Sequence, residues 1–297
     1  MKRGDIRIGI SGWRYAGWRG RFYPDGLPQR RELEYASRKF RTIEINGTHY
    51  SLQRPEYFAR WRDETPEDFV FAVKGSRFIT HMLQLKDSEA ALANFFAQGL
   101  LCLEAKLGPV LWQFSPRFAF RPEKLEPFLK ALPRTRRAAA RLARAHDTRL
   151  VGRSWTKAKT DGPLRHAIEI RHESFCTPEF IALLRAHDIA LVVADTVAWP
   201  LLTDVTADLV YVRLHGSKEL YASGYGPKAL ARWARWVEAW ASGTQAADGP
   251  RAGSALSKTG PKDVFVYFDN DAKVRAPVDA LALEGRLSTQ IGRGTKL

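Results

Sequence analysis

Residues 264–271 read VFVYFDND, in which Val264, Val266 and Phe268 alternate with Phe265, Tyr267 and Asp269. Successive side chains of a β-strand point to opposite faces, so one face here is wholly apolar and the other ends on a carboxylate. The pattern recurs upstream. Residues 210–215 (VYVRLH) set Val210, Val212 and Leu214 against Tyr211, Arg213 and His215. Residues 167–172 (AIEIRH) set Ile168 and Ile170 against Glu169 and Arg171, and residues 42–46 (TIEIN) set Ile43 and Ile45 against Glu44 and Asn46. Four further apolar runs, at 7–13 (RIGISGW), 69–74 (FVFAVK), 110–115 (VLWQFS) and 189–195 (IALVVAD), bring the count to eight. Helical stretches separate them. Eight strands with helical crossovers predict an α/β chain folded as one (β/α)8 barrel of the TIM type, with its active site at the C-terminal rim of the strands. The apolar faces turn out towards the helices and the polar faces turn in. By the same count Ser11, Trp13, Lys74, Gln113, Ser115 and Asp195 also point inward.

A chain of 297 residues is somewhat longer than the roughly 250 typical of this barrel, so a single domain over 1–297 with insertions is expected. Helices are expected over 32–40, 55–63, 88–106 (capped by Ser88), 123–132, 227–241 and 278–287, with another starting at Thr177-Pro178-Glu179. The stretch after Asp195 is too short for a full crossover, so the sixth helix is reduced or missing. Two segments read as insertions on the N-terminal face: a basic one over 134–165, and a Gly/Ala/Ser-rich flexible loop over 243–262. No apolar run approaches the roughly 20 residues of a membrane helix, so no membrane partner is expected. The first residues enter a strand without an apolar signal core, and Cys102 and Cys176 lack metal-type spacing. A reduced, cytoplasmic protein with no obligate protein partner is the expectation.

The net charge is +15, which suggests an anionic partner such as nucleic acid. Its distribution tempers that, because residues 134–165 hold ten Lys/Arg against two Asp and so carry +8 of the total.

The inward set is far more polar than the Val, Ile and Leu that normally fill such a barrel. Buried charges must pair or meet ligand. One reading is a structural salt-bridge network of Glu44, Glu169, Asp195 and Asp269 with Lys74, Arg171 and Arg213. The other is a site. There Glu44, Glu169, Asp195, Asp269 and His215 are the candidate acid, base or metal-ligand groups. Lys74, Arg171 and Arg213 would hold phosphate oxygens. Trp13, Tyr15, Trp18, Tyr50 and Tyr221 would form a stacking wall for a ring, and Asn46, Gln113, His172, Tyr267 and Asn270 complete the substrate-binding set. His49, His81, His166 and His187 follow no inward pattern and read as surface or loop residues.

Several segments resemble the DUF72 family of YecE-like, UPF0759-type proteins: IGISGWRYAGWRGRFYP, FRTIEINGTHYSL, TPEDFVFAVKGSRFITH, KLGPVLWQFSP, AIEIRHESF, VRLHGS with Tyr221 and Tyr225, and VYFDNDAKVRAPVDAL. They run from residue 8 to about 283. The resemblance implies the barrel independently and places the rim residues Glu44, Asn46, Lys74, Gln113, Glu169, Arg171, His172, Arg213, His215, Asp269 and Asn270 in family motifs. It supplies no reaction. Three functions stay open. The first is a rim enzyme acting on a phosphate-bearing substrate, nucleic acid included, as a phosphodiester hydrolase and with a divalent metal ion as candidate cofactor. The second is a metal-free sugar or small-acid enzyme. The third is a non-catalytic nucleic-acid-binding protein. For a rim site, Glu169→Gln and Arg213→Ala are each expected to abolish ligand binding without unfolding the barrel.

Overall fold

The structure, a computed structural model, describes residues 3–216, 218–256 and 259–294. Eight parallel strands follow one another around a closed barrel: β1 Ile6–Ser11, β2 Thr42–Ile45, β3 Val70–Lys74, β4 Leu107–Gln113, β5 His166–Glu169, β6 Ala190–Asp195, β7 Leu209–Leu214 and β8 Asp263–Phe268. β8 pairs with β1 to close the ring. The helices are α1 Glu32–Ser37, α2 Gly47–Tyr50, α3 Pro55–Asp63, α4 Glu89–Ala97, α5 Pro122–Ala131, α6 Arg136–Ala143, α7 Pro178–Ala186, α8 Pro227–Ala241 and α9 Arg275–Gly294. The single barrel predicted from strand alternation is the fold observed.

Burial divides as the alternation requires. Ile43, Ile45, Ile168, Ile170, Val210, Val212, Val264 and Val266 join the layer between strands and helices. A separate inner column contains Ala72, Leu111, Ala167, Val192, Tyr211, Phe265 and Tyr267. Tyr267 therefore belongs to the barrel filling and not to a substrate surface: it is fully buried, its hydroxyl lies 2.7 Å from that of Thr42, and its ring packs 5.0 Å from that of Tyr211.

Two expected elements differ. The helix expected over 88–106 stops at Ala97, because Gly99 adopts φ +121° and the chain continues as 3-10 turns to Lys106. Ser88 makes no side-chain capping bond there. The last helix is longer than expected, Arg275–Gly294.

No helix lies between β6 and β7 among the described residues, as the short connection required. Its place is taken from elsewhere in the chain. Thr203 donates its N–H to Pro250 O (2.7 Å), and the Asp204 carboxylate accepts from the N–H groups of Ala252 and Gly253 (2.9 and 3.0 Å). Trp236 of α8 donates to Asp248, and Arg185 of α7 donates to Ser254 O. Residues 248–254 thus bridge α7 and α8 over the bare flank. The Gly/Ala/Ser-rich segment expected to be a flexible loop is tied down here by tertiary bonds that composition does not reveal; residues 257 and 258 lie outside the described residues.

The basic segment also departs from expectation. Its ends pair low on the barrel, through Arg136 N–H to Gly162 O and Leu164 N–H to Arg134 O. Between them α6 climbs the outer wall against α4, burying Ala139, Ala140 and Ala143. Beyond it the Arg149 guanidinium stands 5.6 Å over the ring of Phe78, in the loop that follows β3. The insertion is not confined to the N-terminal face.

Candidate functional site

Register sets the height of each inward side chain. Ser11 pairs with Glu44, Glu44 with Ala72, and Gln113 with Glu169. These side chains, with Arg213 and Asp269, form one polar layer above the Tyr211 and Tyr267 rings. Arg213 is its centre and is fully buried. Its Nε and Nη2 donate to the two oxygens of Glu44 (3.1 and 2.9 Å), Nη2 also reaches Asp269 (2.8 Å) and Ser11 Oγ (3.1 Å), and Nη1 donates to Glu169 (2.6 Å). Glu44 further accepts from the hydroxyls of Tyr211 (2.6 Å) and Ser11. Glu169 accepts from Gln113 Nε2 (2.7 Å) and Arg171 Nε (2.9 Å). His215 Nδ1 lies 2.9 Å from Asp269 Oδ2, and Nε2 lies 3.6 Å from Glu169.

Burial alone would raise the carboxylates, but Arg213 and Arg171 hold Glu169 well below the usual range, and Arg213 and His215 do the same for Asp269. Burial works against the charge on Arg213 too, and Asp269, Glu44 and Glu169 overcome it and push the guanidinium well up. The structural network anticipated from the sequence is therefore present, and it corrects one role: Arg213 spends its donors on carboxylates and has none for a phosphate. It also bears on the metal. The three carboxylates already converge on one cation, Arg213, and among the described residues no group of three or more His, Cys, Asp or Glu is placed to hold a metal ion.

Above this layer the picture changes. Lys74 is one inward step beyond Ala72, and it pairs with Leu111 while Glu44 lies level with Ala72. Its main chain is fixed by Thr48, whose hydroxyl donates to Lys74 O (2.6 Å). The side chain is only 7% exposed, yet among the described residues its ammonium has no hydrogen bond and no carboxylate within 4.0 Å. Burial, aided by the nearby Arg213, lowers its pKa to about 8. Arg171 stands one step above Glu169, and its guanidinium stacks 3.9 Å over Trp199. Trp199 also meets His215 edge-on at 5.2 Å, and Tyr221 meets it at 5.6 Å. A cavity of about 300 Å³ opens alongside, lined by Trp13, Arg14, Tyr15, Asn46, Gln53 and Trp61. Asn46 Nδ2 touches Ser11 Oγ (3.4 Å) and so joins this cavity to the polar layer.

Five expected site residues are placed elsewhere. Asp195 falls on the outer face of β6, since Ala190, Val192 and Ala194 fill the inside. It lies buried by α8, where burial raises its pKa against the opposing pull of Arg232, Tyr225 and Trp233. Asn270 turns away from the mouth to donate to Ser223 O and Asp279. His172 caps a turn by accepting from Ser174 N–H. Tyr50 is 68% exposed, and Tyr267 is in the barrel filling. Ser217 of the HGS run lies outside the described residues.

Two histidines and one tryptophan differ from the sequence pattern. His49 is buried with Nδ1 donating to Gly75 O (2.8 Å), and burial next to Lys74 lowers its pKa to about 3. His166 is likewise buried, bonded to Trp112 and Pro133 O. All three bonds are tertiary, so no periodicity announces them. Trp199 sits in the β6–β7 connection, where only its place after a strand's C-terminal end marks it.

Comparison with known proteins agrees with this architecture. A DUF72 protein from Thermotoga maritima superposes with a TM-score of 0.71 at 27% identity, covering 96% of this chain and 99% of that one. A DUF72 protein from Enterococcus faecalis, at 19% identity and TM-score 0.66, shares the fold. The UPF0759 proteins YecE of Escherichia coli and YunF of Bacillus subtilis are each 30% identical, over 129 and 125 residues. Those stretches cover 43% and 40% of this chain and 44% and 43% of the relatives, less than half of each. The family model described as "Protein of unknown function DUF72" matches residues 7–296, and the chain belongs to that family.

Proposed function

We propose that the C-terminal rim is the active site of an enzyme acting on a small phosphate-bearing substrate. One observation carries this reading: above the layer of three carboxylates centred on Arg213 stand two further cations, Lys74 with no hydrogen-bond partner among the described residues and Arg171, paired with Glu169 and stacked on Trp199. A buried ammonium with no hydrogen-bonded counter-ion favours an anionic ligand, and Arg171, whose Nε and Nη2 face Glu169, keeps donors for a phosphate oxygen. Trp199 packs on Arg171 and on His215, and Tyr221 packs on His215, so aromatic rings crowd the space around Arg171 and favour a small ligand. Ribose 5-phosphate and glycerol 3-phosphate are expected to raise the Tm by several degrees near saturation, while ribose leaves it unchanged. Lys74→Ala and Arg171→Ala are each expected to weaken phosphate binding at least tenfold. Equal shifts with ribose and its phosphate would overturn the reading.

A second reading rests on α6, which turns Arg137, Arg141 and Arg144 to solvent along one stripe. This face suits a nucleic-acid backbone. Replacing all three by Ala should reduce the salt slope of oligonucleotide binding by about three, one per lost phosphate contact. An unchanged slope removes α6 from any such interface.

A further inference from the structure

Resting on the rim reading above, we propose that Lys74 is a covalent nucleophile and that the substrate is a phosphorylated aldehyde or ketone, which it holds as an imine. The argument begins with placement. Lys74 ends β3 on the inner face, with its backbone locked by Thr48 and the next residue, Gly75, held by His49. A lysine meant only to balance charge would sit in contact with a carboxylate. Glu44, Glu169 and Asp269 are all near enough to act on it electrostatically, yet each is bonded to Arg213 and none lies within 4.0 Å of Lys74. Arg213 occupies the carboxylates and leaves the amine unpaired.

A neighbouring cation and an enclosed site are the two features that make a lysine amine nucleophilic. With its pKa at about 8, roughly a tenth of Lys74 is unprotonated at pH 7, against fewer than about one in a thousand for an ordinary lysine. His81, half-buried in the loop after β3, feels both Lys74 and Arg171, and its own pKa is lowered by burial and by those cations. Those cations favour its neutral form.

The chemistry balances without an oxidant or metal. The free Nζ adds to the carbonyl carbon, the carbonyl oxygen takes a proton, and the carbinolamine loses water to leave a C=N bond. Amine plus carbonyl gives imine plus water. Arg171 holds the phosphate meanwhile.

The test is borohydride trapping on the intact protein. Ribose 5-phosphate, which offers an open-chain aldehyde, is incubated with the protein and sodium borohydride, and the product is mapped by peptide mass. The expected result is a single reduced adduct on the peptide containing Lys74, suppressed by excess glycerol 3-phosphate. Lys74→Arg keeps the cation and removes the nucleophile. It should give no adduct at position 74 under the same conditions. Adducts spread over surface lysines, or binding without any adduct at Lys74, would overturn the covalent role and leave the phosphate reading standing. No binding of either phosphate would overturn the phosphate reading itself.

Discussion

Arg213→Ala is expected to unfold the barrel, or to leave it several kcal/mol less stable, before any effect on ligand can be read. The guanidinium is the shared partner of Glu44, Glu169 and Asp269, with no exposure of its own. Removing it takes the central counter-ion from three carboxylates in the middle of a closed barrel. Breaking a buried ion pair by deleting one partner costs about 3–5 kcal/mol, and here one deletion breaks three. A domain has only about 5–15 kcal/mol in total. Arg213→Lys should recover little, because one ammonium cannot span Glu44, Glu169 and Asp269 at the distances a guanidinium does. Urea unfolding followed by circular dichroism measures this directly. A midpoint within about 0.5 kcal/mol of wild type would mean that the network is dispensable. The expectation from sequence, that losing Arg213 spares the fold, is replaced for this reason.

Glu169→Gln comes second. Glu169 receives three donors, from Gln113, Arg171 and Arg213. Glutamine keeps the shape, but its amide nitrogen must then face one of those donors. The change also takes a carboxylate partner from both Arg171 and Arg213. A loss of about 3 kcal/mol is expected. The pH dependence gives it a signature. Because the folded-state pKa of Glu169 is held below its ordinary value, its contribution is complete above the unfolded pKa of about 4.3 and is lost as pH falls towards the folded value. Wild-type protein should therefore lose stability steeply below about pH 5. The variant lacks this titration and should show a shallower acid limb, its deficit shrinking as the pH drops. Parallel acid limbs would show that Glu169 takes no part.

The legible and illegible parts of the sequence differ for physical reasons. β2, β5, β7 and β8 alternate apolar with polar residues, so their inward sets, Glu44, Glu169, Arg213 and Asp269 among them, could be read directly. β6 is apolar on both faces (ALVVA before Asp195), so nothing in it states which way Asp195 points, and tertiary packing decides. Asn270 and His172 lie past the last strand residues, where the period of two no longer applies. Composition made residues 243–262 look loose, but bonds to Thr203 and Asp204 come from forty-odd positions away and leave no local mark. The division of labour inside the site, with Arg213 saturated and Lys74 unpaired, depends on distances of a few tenths of an ångström that no pattern encodes.

The seal over β6 also sets an order of events during synthesis. A ribosome releases β6, β7 and all of α8 before residues 248–254 emerge, a delay of several seconds at about 5–20 residues per second. Until then the flank between α7 and α8 is open to water. The nascent chain cannot complete its staves in the order in which they are translated; the piece that covers the sixth arrives after the seventh and just before the eighth. Shielding by a chaperone is most needed in that interval, while Thr203 and Asp204 wait for their partners.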